Sequence, residues 1–222
     1  MGKDKLRRFA IVENYPHFIQ PALGERCELF GKWRQEYFKN DNPIVVELGC
    51  GKGEYTVGLA QRNPNINYIG VDIKGARMYI GAKQALELDL KNVAFLRTKV
   101  DFITESFDND EVDEIWLTFS DPQRKKPNKR LTAKSFIERY RKMLKKGGVV
   151  HLKTDSSILF EFSEEQIKEH NYPSEIISWN IYQDLHLLAT DEEREILQIR
   201  THYEKLFTAK GSVIKYAKFR IH

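Results

Sequence analysis

A glycine-rich loop and two acidic residues near it have the spacing of a cofactor site. Gly49, Gly51 and Gly53 follow a short apolar segment and precede a segment with helical character. Glycines at such a junction let a ligand approach the backbone closely, at the edge of a parallel sheet where ligands bind. A dinucleotide site would place its third glycine one position later, where this chain has Glu54. The spacing therefore opposes a nicotinamide cofactor and its pyrophosphate.

The two acidic residues beside this loop match polar groups of S-adenosylmethionine. Glu47 comes just before the glycines, where it either accepts a hydrogen bond from an ammonium group or orders the loop. Asp72 ends the next predicted strand, about 20 residues downstream, where a carboxylate accepts hydrogen bonds from both ribose hydroxyls. The alternative is a glycine-rich turn with incidental acids. We predict an S-adenosylmethionine site, with Glu47, Gly49, Gly51, Gly53 and Asp72 as the cofactor contacts.

A third acidic residue is the candidate for catalysis. Asp121 follows another predicted strand, and the next residue, Pro122, keeps the backbone at Asp121 extended. A purine nitrogen such as guanine N7 already carries a lone pair. Its methylation therefore requires alignment and stabilisation of the growing positive charge, without deprotonation, and a carboxylate supplies that stabilisation. The simpler interpretation is a turn or cap residue, a common role for an Asp-Pro pair.

A run of cations follows Asp121 in the chain. The cations of this basic loop are Arg124, Lys125, Lys126, Lys129 and Arg130. Such a run is often only a solvated surface, but at the mouth of the proposed site it favours contact with phosphate. We predict that Lys125, Lys126, Lys129 and Arg130 bind RNA. Additional candidates are Arg141, Lys142, Lys145 and Lys146 on the next helix, and Lys3, Lys5, Arg7 and Arg8 near the amino terminus.

Strands and helices that alternate along the chain are predicted to hold these residues. Short apolar segments predict strands at 44–48, 68–73, 93–97, 114–119 and 149–153. Helical segments between them span 54–62, 76–90 and 132–146, the last stopped by Gly147-Gly148. This alternation predicts an α/β fold with a Rossmann-like, doubly wound, mostly parallel sheet and helices on both faces.

The last third of the chain has a different pattern. It predicts a helix at 157–170, an extended segment at 175–180, a helix at 191–206 and a strand at 213–221. Because apolar and polar residues alternate in the final segment, we expect an antiparallel or edge strand near the carboxyl terminus.

The length indicates one α/β domain over residues 1–222, with residues 1–20 as a basic arm that is either ordered or mobile. The chain is 41% hydrophobic and 31% charged and has no apolar run of bilayer length. The basic start is followed by Glu13 instead of an apolar run, so we do not expect it to be a secretory signal. Cys27 and Cys50 lack metal-ligand spacing and suit a reducing compartment. We therefore expect a cytoplasmic protein without a metal or a membrane partner.

Together these motifs resemble the bacterial tRNA (guanine-N7)-methyltransferase family, and the similarity extends from Val46 to Phe219. The similar segments are 47–53, 70–72, 119–122 with the cations after it, Thr154-Asp155, and Thr201-His202-Tyr203-Glu204 with Gly211 and Ile214 downstream. The resemblance implies a class I, S-adenosylmethionine-dependent enzyme that methylates N7 of guanine 46, in the variable loop of tRNA. It also implies that Thr201 and Glu204 hold cofactor and guanine, and that Asp155 contributes to substrate binding.

The carboxylate of Glu204 suits recognition of guanine. It can accept hydrogen bonds from both N1–H and the exocyclic amine of guanine, a pairing that adenine does not offer. In a helix over 191–206 we expect Thr201 and Glu204 on one face and a buried stripe on another. The stripe comprises Ile196, Ile199, Tyr203 and Leu206. Without the resemblance, Thr201 and Glu204 would be helix-surface residues, and Asp155 would be a helix cap before Ser157.

Two departures from the family pattern leave details open. Where the family usually has Asp-Pro-Trp-Pro, this chain has Asp121-Pro122-Gln123-Arg124, and the basic loop is shorter, so we expect tRNA docking to differ in detail. After the third strand the family tends to have an acid near the adenine. Here Lys99 occupies that position and Asp101 lies shortly beyond it, and both are candidates for contact with the adenine amine.

Two other functions are compatible with the chain. The first is S-adenosylmethionine-dependent methylation of another RNA base, although residues 123–126 lack the aromatic residue that commonly stacks on an exocyclic amine target. The second is a non-catalytic RNA-binding protein of the same fold. Equilibrium binding of S-adenosylmethionine and of a nicotinamide cofactor would distinguish cofactor classes. The sequence leaves a monomer and a homodimer equally open.

Overall fold

Short runs of buried apolar residues form an eight-stranded sheet in the computed structural model, which describes residues 2–188 and 190–222. In chain order the strands are β1 (Phe18–Ile19), β2 (Ile44–Leu48), β3 (Asn67–Asp72), β4 (Val93–Arg97), β5 (Val112–Thr118), β6 (Leu144–Thr154), β7 (Ser174–Ser178) and β8 (Lys215–Arg220). Their order across the sheet is β1-β4-β3-β2-β5-β6-β8-β7. Every residue of β2 is buried, as expected of a central strand that is covered on both faces.

The directions of the strands determine where a ligand can bind. Strands β1 to β6 pair in parallel, and β8 is antiparallel to both β6 and β7. In the central register, Val46 pairs with Ile69 of β3 and with Ile115 of β5. The carboxyl ends of β2, β3, β4 and β5 therefore meet at one edge of the sheet. The predicted Rossmann-like fold with an antiparallel strand near the carboxyl terminus is confirmed.

Helices cover both faces of this sheet. They are α1 (Gly2–Val12), α2 (Glu54–Arg62), α3 (Gly75–Glu87), α4 (Lys134–Met143), α5 (Ser157–Glu169), α6 (Asp191–Leu197) and α7 (His202–Thr208). Shorter turns are a π-helical turn at Trp33–Phe38 and 3₁₀ turns at Val100–Glu105, Pro127–Lys129 and Leu185–Leu187. Buried residues of α4 and α5 pack on the face that carries Val46, and those of α2, α3 and α6 pack on the face that carries Val45.

The helix predicted at 132–146 ends before its glycines. Helix α4 stops at Met143, and β6 begins at once with Leu144, which is fully buried and pairs with Val112 of β5. A Cβ at Gly148 would come within 2.8 Å of the carbonyl oxygen of the neighbouring strand. Gly148 therefore permits close packing of β6 against β5, and the glycines do not end the helix, so the predicted boundary is wrong.

The single helix predicted at 191–206 is two helices. Helix α6 ends at Leu197, and α7 starts after Thr201, which caps it. The carbonyl oxygens of Leu197 and Ile199 accept hydrogen bonds from the buried Nζ of Lys153, at 2.8 and 3.0 Å. Because these carbonyl groups are satisfied by a lysine from β6, the chain can leave the helical path between them.

The amino-terminal segment contributes to the same layers. Helix α1 packs along α3, where the ring of Phe9 lies against Gly75 and 4.7 Å from the guanidinium carbon of Arg97. Strand β1 pairs with β4. The side chain of Lys3, one of the additional cations named above, lies outside the described residues.

Among the residues that the structure describes, no helix is long and apolar enough to cross a membrane. Among the same residues, no group of three or more His, Cys, Asp or Glu side chains could hold a metal ion.

Candidate active site

The carboxyl ends of β2, β3 and β5 border a cleft of about 670 Å³, a size typical of small-ligand sites. Several residues predicted for the site line this cleft. They are Glu47, Gly49, Gly51, Asp72, Asp121, Lys129 and Thr201. Strand topology brings most of them together, because ligands of such sheets bind where the carboxyl ends of parallel strands meet.

The glycine loop is held against β3. The N–H of Gly49 donates to the carbonyl oxygen of Val71 at 2.8 Å. Gly49 and Gly51 have φ values of 82° and 57°, which favour glycine. The carboxylate of Asp72 accepts the N–H of Gly51 at 3.0 Å and that of Lys74 at 2.8 Å. A carboxylate has about four lone-pair positions, so Asp72 is oriented by the loop and can still accept hydrogen bonds from a ligand.

Gly53 lies behind the cleft and does not line it. It precedes α2 with a φ of 73°. A Cβ at this position would come within 2.5 Å of the ring of Phe95 and 3.3 Å of the Cα of Gly81. Close packing of the start of α2 against β4 and α3 therefore requires glycine here.

Glu47 is buried beneath the glycine loop. Its carboxylate accepts the backbone N–H of Thr56 at 2.9 Å, and the hydroxyls of Thr56 and Thr118 also donate to it. Burial raises the pKa of Glu47 to about 7, because the charged form loses its hydration. These contacts join the end of β2 to α2 and β5. Of the two roles expected for Glu47, they fit the ordering of the loop.

A second cavity, of about 360 Å³, continues the cleft toward β4. Its walls include the apolar Ile73 and Val100, together with the two adenine-amine candidates, Lys99 and Asp101. The carboxylate of Asp101 accepts a hydrogen bond from Nζ of Lys129 at 2.8 Å, and this hydrogen bond lowers the pKa of Asp101. The basic loop thus contributes a wall to this cavity through Lys129.

Asp121 lies between the cleft and a third cavity, of about 460 Å³. The residues that line both spaces are Phe119, Ser120, Asp121 and Phe207. The side chain of Asp121 is exposed, and its Oδ1 accepts the N–H of Gln123 at 2.9 Å. Phe119 and Gln123 have φ values of 49° and 45°, which are uncommon for residues with a side chain. This turn places one carboxylate beside two ligand-sized spaces.

Asp155 also lines the third cavity. The residue that caps α5 is Ser156, whose Oγ accepts the N–H of Leu159 at 3.2 Å. The interpretation of Asp155 as the helix cap is therefore wrong. Burial raises the pKa of Asp155. Asp155 is therefore a candidate to contact a ligand in this cavity.

Thr201 and Glu204 occupy different environments. Thr201 lines the cleft, and its Oγ1 accepts the N–H of Glu204 at 3.2 Å. Glu204 is fully buried, accepts hydrogen bonds from Nζ of Lys153 at 3.0 Å and from the hydroxyl of Tyr182, and lines none of these three cavities. Leu206, by contrast, is 44% exposed. The expected buried stripe is therefore correct for Ile199 and wrong for Leu206, and Glu204, which was expected on another face, is buried.

The basic loop has one member that differs from the others. Lys125, Lys126 and Lys129 are exposed. Arg130 is only 6% exposed, and its Nε donates to the carbonyl oxygen of Pro122 at 2.8 Å. Lys125 and Lys126 therefore present their charge to solvent, Lys129 is exposed but paired with Asp101, and Arg130 is turned toward the protein.

Comparison with known proteins identifies the family. A family model described as "Putative methyltransferase" matches residues 41–217. The tRNA (guanine-N(7)-)-methyltransferase of Bacteroides fragilis is 49% identical over 99% of this chain and 86% of its own length. That of Christiangramia forsetii is 44% identical over 99% of both chains. This chain belongs to the tRNA (guanine-N7)-methyltransferase family.

Solved methyltransferases of low sequence identity share the fold of this family member. The antibiotic-resistance methyltransferase Kmr matches it with a TM-score of 0.58 at 14% identity, over 91% of this chain and 97% of that chain. The 16S rRNA methyltransferase KamB gives a TM-score of 0.57 at 14% identity, over 89% and 97%. At such identity the similarity shows the Rossmann-like methyltransferase fold alone.

Some residues that line the cleft of this methyltransferase were not predicted from the sequence. They are Ser120, Gln123, Tyr203 and Phe207, among others. The hydroxyl of Ser120 is buried and has no hydrogen-bond partner in the described part of the chain. A buried polar atom without a partner is a candidate to bind a ligand. The available signal was its place directly before Asp121, at the end of a strand.

Proposed function

We propose that this methyltransferase transfers a methyl group from S-adenosylmethionine to N7 of guanine 46, in the variable loop of tRNA. The observation that carries the proposal is the position of Asp121, which lines both the cleft and the third cavity. The relatives in Bacteroides fragilis and Christiangramia forsetii are named tRNA (guanine-N(7)-)-methyltransferases. A tRNA substrate is also consistent with a cytoplasmic location.

The cleft fits S-adenosylmethionine, which supplies a methyl group on a positively charged sulfur. Asp72, at the end of β3, is placed to accept hydrogen bonds from ribose hydroxyls. Ile73 and Val100 offer apolar contact to an adenine, and Lys99 and Asp101 border the same space. The glycine loop leaves room for the amino-acid part of the cofactor beside its backbone.

Asp121 is proposed to act on the base without removing a proton. Because N7 of guanine forms the new bond with its own lone pair, positive charge develops on the purine ring. The carboxylate of Asp121 stabilises this charge from the boundary between the two spaces. Ser120, with its unpartnered hydroxyl among the described residues, is placed to donate a hydrogen bond at the same boundary.

Asp155 is the residue that we propose for recognition of guanine. Guanine offers two adjacent donors, N1–H and the exocyclic amine, and one carboxylate can accept both. Asp155 lines the third cavity, whereas Glu204, implied for this role by the resemblance, is buried beside Lys153. We infer that Asp155 contacts the base and that Glu204 supports the site from the core, by holding the segment that carries Thr201.

The exposed lysines of the basic loop are proposed to bind tRNA phosphates. Lys125, Lys126 and Lys129 follow Asp121 closely in the chain and are exposed to solvent. Contacts of this kind release counterions, so they make affinity for RNA depend on salt concentration. The loop would thereby hold the tRNA next to the turn that carries Asp121.

Mapping of the methyl group on tRNA tests the proposal. Unmodified tRNA is incubated with the enzyme and methyl-labelled S-adenosylmethionine, then treated with borohydride and aniline, which cleave the chain at N7-methylguanosine. We expect cleavage at position 46 and none in a transcript that carries adenosine there. Label on another base would support the alternative acceptor. Cofactor binding without methylation of any tRNA would support the non-catalytic alternative.

A further inference from the structure

Arg130 ends the basic loop but is bound to the protein. It is 6% exposed, whereas Lys125, Lys126 and Lys129 of the same loop are exposed to solvent. Its Nε donates a hydrogen bond to the carbonyl oxygen of Pro122 at 2.8 Å. A guanidinium group that is almost covered by protein has little surface left for a phosphate that approaches from solvent.

An aromatic ring packs against the guanidinium of Arg130. The guanidinium carbon lies 4.7 Å from the ring centroid of Phe162, in α5. Thr132 follows Arg130 closely and Ser163 directly follows Phe162, and their hydroxyls are hydrogen-bonded at 2.8 Å. The segment after the basic loop therefore has two contacts with α5. Stacking and the hydrogen bond together fix the plane of the guanidinium group.

The backbone that Arg130 holds belongs to the turn that carries Asp121. Pro122 directly follows Asp121, and Phe119 and Gln123 on either side both have positive φ. Such backbone conformations are costly and persist where surrounding contacts hold them. Within the turn, the N–H of Gln123 donates to Oδ1 of Asp121. The hydrogen bond from Arg130 connects this turn to the layer formed by α5.

We propose that Arg130 is a positioning residue: by holding the carbonyl group of Pro122, it fixes the direction of the Asp121 carboxylate and does not bind tRNA phosphate. The inference rests on the proposed role of Asp121 in catalysis. It assigns Arg130 a different role from the phosphate contact that the sequence predicted. A displacement of about 1 Å in a reacting geometry can lower a rate about a hundredfold, so the contact is expected to matter for turnover.

Two substitutions at Arg130 separate the roles. Arg130→Lys keeps the positive charge but loses the planar, stacked donor, so kcat at saturating tRNA should fall about tenfold to a hundredfold. A phosphate ligand would tolerate this change. Arg130→Met removes the charge, and the slope of log tRNA affinity against log salt concentration should stay as in the wild type. Calorimetric Kd values for S-adenosylmethionine should be unchanged in both variants.

Phe162→Leu and Lys125→Met are the matched controls. Phe162 cannot bind phosphate, so a lower kcat with an unchanged salt slope in Phe162→Leu would support the positioning role independently. In the double variant Arg130→Lys/Phe162→Leu, the fall in kcat should be smaller than the product of the two single effects, because both substitutions loosen the same contact. Lys125→Met should flatten the salt slope by about 0.7 to 0.9, the amount expected for one lost phosphate contact.

Two results would overturn the inference: a flattened salt slope in Arg130→Met, or wild-type kcat in both Arg130→Lys and Phe162→Leu. Thermal unfolding of each variant shows whether it is folded, and if Arg130→Met is not, the other two variants still decide. If the wild-type enzyme forms N7-methylguanosine and these variants match it, only the positioning role fails. If the wild-type enzyme forms none, the proposed function itself fails.

Discussion

Three carboxylates near the cleft have different surroundings, which assign them different tasks. Glu47 is buried and receives hydrogen bonds from two threonines. Asp72 is held by backbone N–H groups but lines the cleft. Asp121 is exposed at the boundary between two cavities. These surroundings fit the ordering of the loop, the binding of cofactor and catalysis, respectively.

The buried carboxyl group of Glu47 makes stability depend on pH. Because its pKa is raised from 4.5 to about 7, its contribution to the free energy of unfolding is fully present below about pH 4.5. This contribution is lost as the pH rises from there through about 7. The shift corresponds to a change on the order of 3 kcal/mol. The side chain of Glu47→Gln cannot ionise. The wild-type protein should therefore lose about that much free energy of unfolding, relative to the variant, between about pH 4.5 and 7. Urea unfolding of both proteins at several pH values measures the difference, and a pH-independent difference would contradict it.

Substitutions of Asp121 and Asp72 should affect different quantities. Asp121→Ala should abolish most turnover, and the isosteric Asp121→Asn should lower kcat by about 10² to 10³, the scale of a lost electrostatic contact to a transition state. Both should leave the affinity for S-adenosylmethionine almost unchanged. Asp72→Ala should chiefly weaken cofactor binding. Steady-state kinetics combined with calorimetry separates these effects, and normal turnover by Asp121→Asn would remove the catalytic role.

Among the structural elements, strong local patterns were predicted well, and the failures have tertiary causes. The helix at 54–62 and the strands at 44–48 and 93–97 have the same bounds as α2, β2 and β4. The break between α6 and α7 depends on Lys153, which is distant in sequence and satisfies two carbonyl oxygens. The local pattern of residues 191–206 does not contain that information.

The same distinction applies to the candidate site. Gly49, Gly51, Asp72 and Asp121 were predicted to meet because the ends of parallel strands share an edge, and all four line the cleft, whereas Gly53 packs behind it. The surroundings of Glu204 and Arg130 could not be predicted, because each is turned inward by a partner that no local pattern identifies. Those partners are Lys153 for Glu204 and Phe162 for Arg130.

Lys153→Met tests the contact that joins α6 and α7 to the sheet. The variant keeps a long apolar side chain but leaves Glu204 buried without its ion partner. Loss of one member of a buried pair costs about 3–5 kcal/mol, and urea unfolding should show a decrease of roughly that size. The double variant Lys153→Met/Glu204→Gln should regain part of the lost free energy of unfolding, because its core no longer contains an unpaired carboxylate.

The exposed pair of Lys83 and Glu87, at 3.3 Å, provides the control for this experiment. Lys83→Met removes a lysine from the surface of α3, so the free energy of unfolding should hardly change. If Lys153→Met destabilises the protein no more than Lys83→Met does, the buried contact does not hold the two helices in place.

In the whole molecule, the candidate ligand-binding groups lie at one edge of the helix-covered sheet. The formal net charge of +4 is modest for 222 residues, so affinity for tRNA depends on where the cations lie. The exposed lysines of the basic loop lie next to the turn that carries Asp121. Cofactor, target base and RNA backbone would therefore meet around one turn.

A crystal structure of the protein with S-adenosylhomocysteine and guanosine monophosphate is the most direct test of this arrangement. We predict S-adenosylhomocysteine in the cleft, with its ribose hydroxyls on Asp72. We predict guanine in the third cavity, with N7 directed toward the sulfur and the ring beside Asp121. Electron density for S-adenosylhomocysteine outside the cleft, or for guanine away from Asp121, would contradict the proposed site.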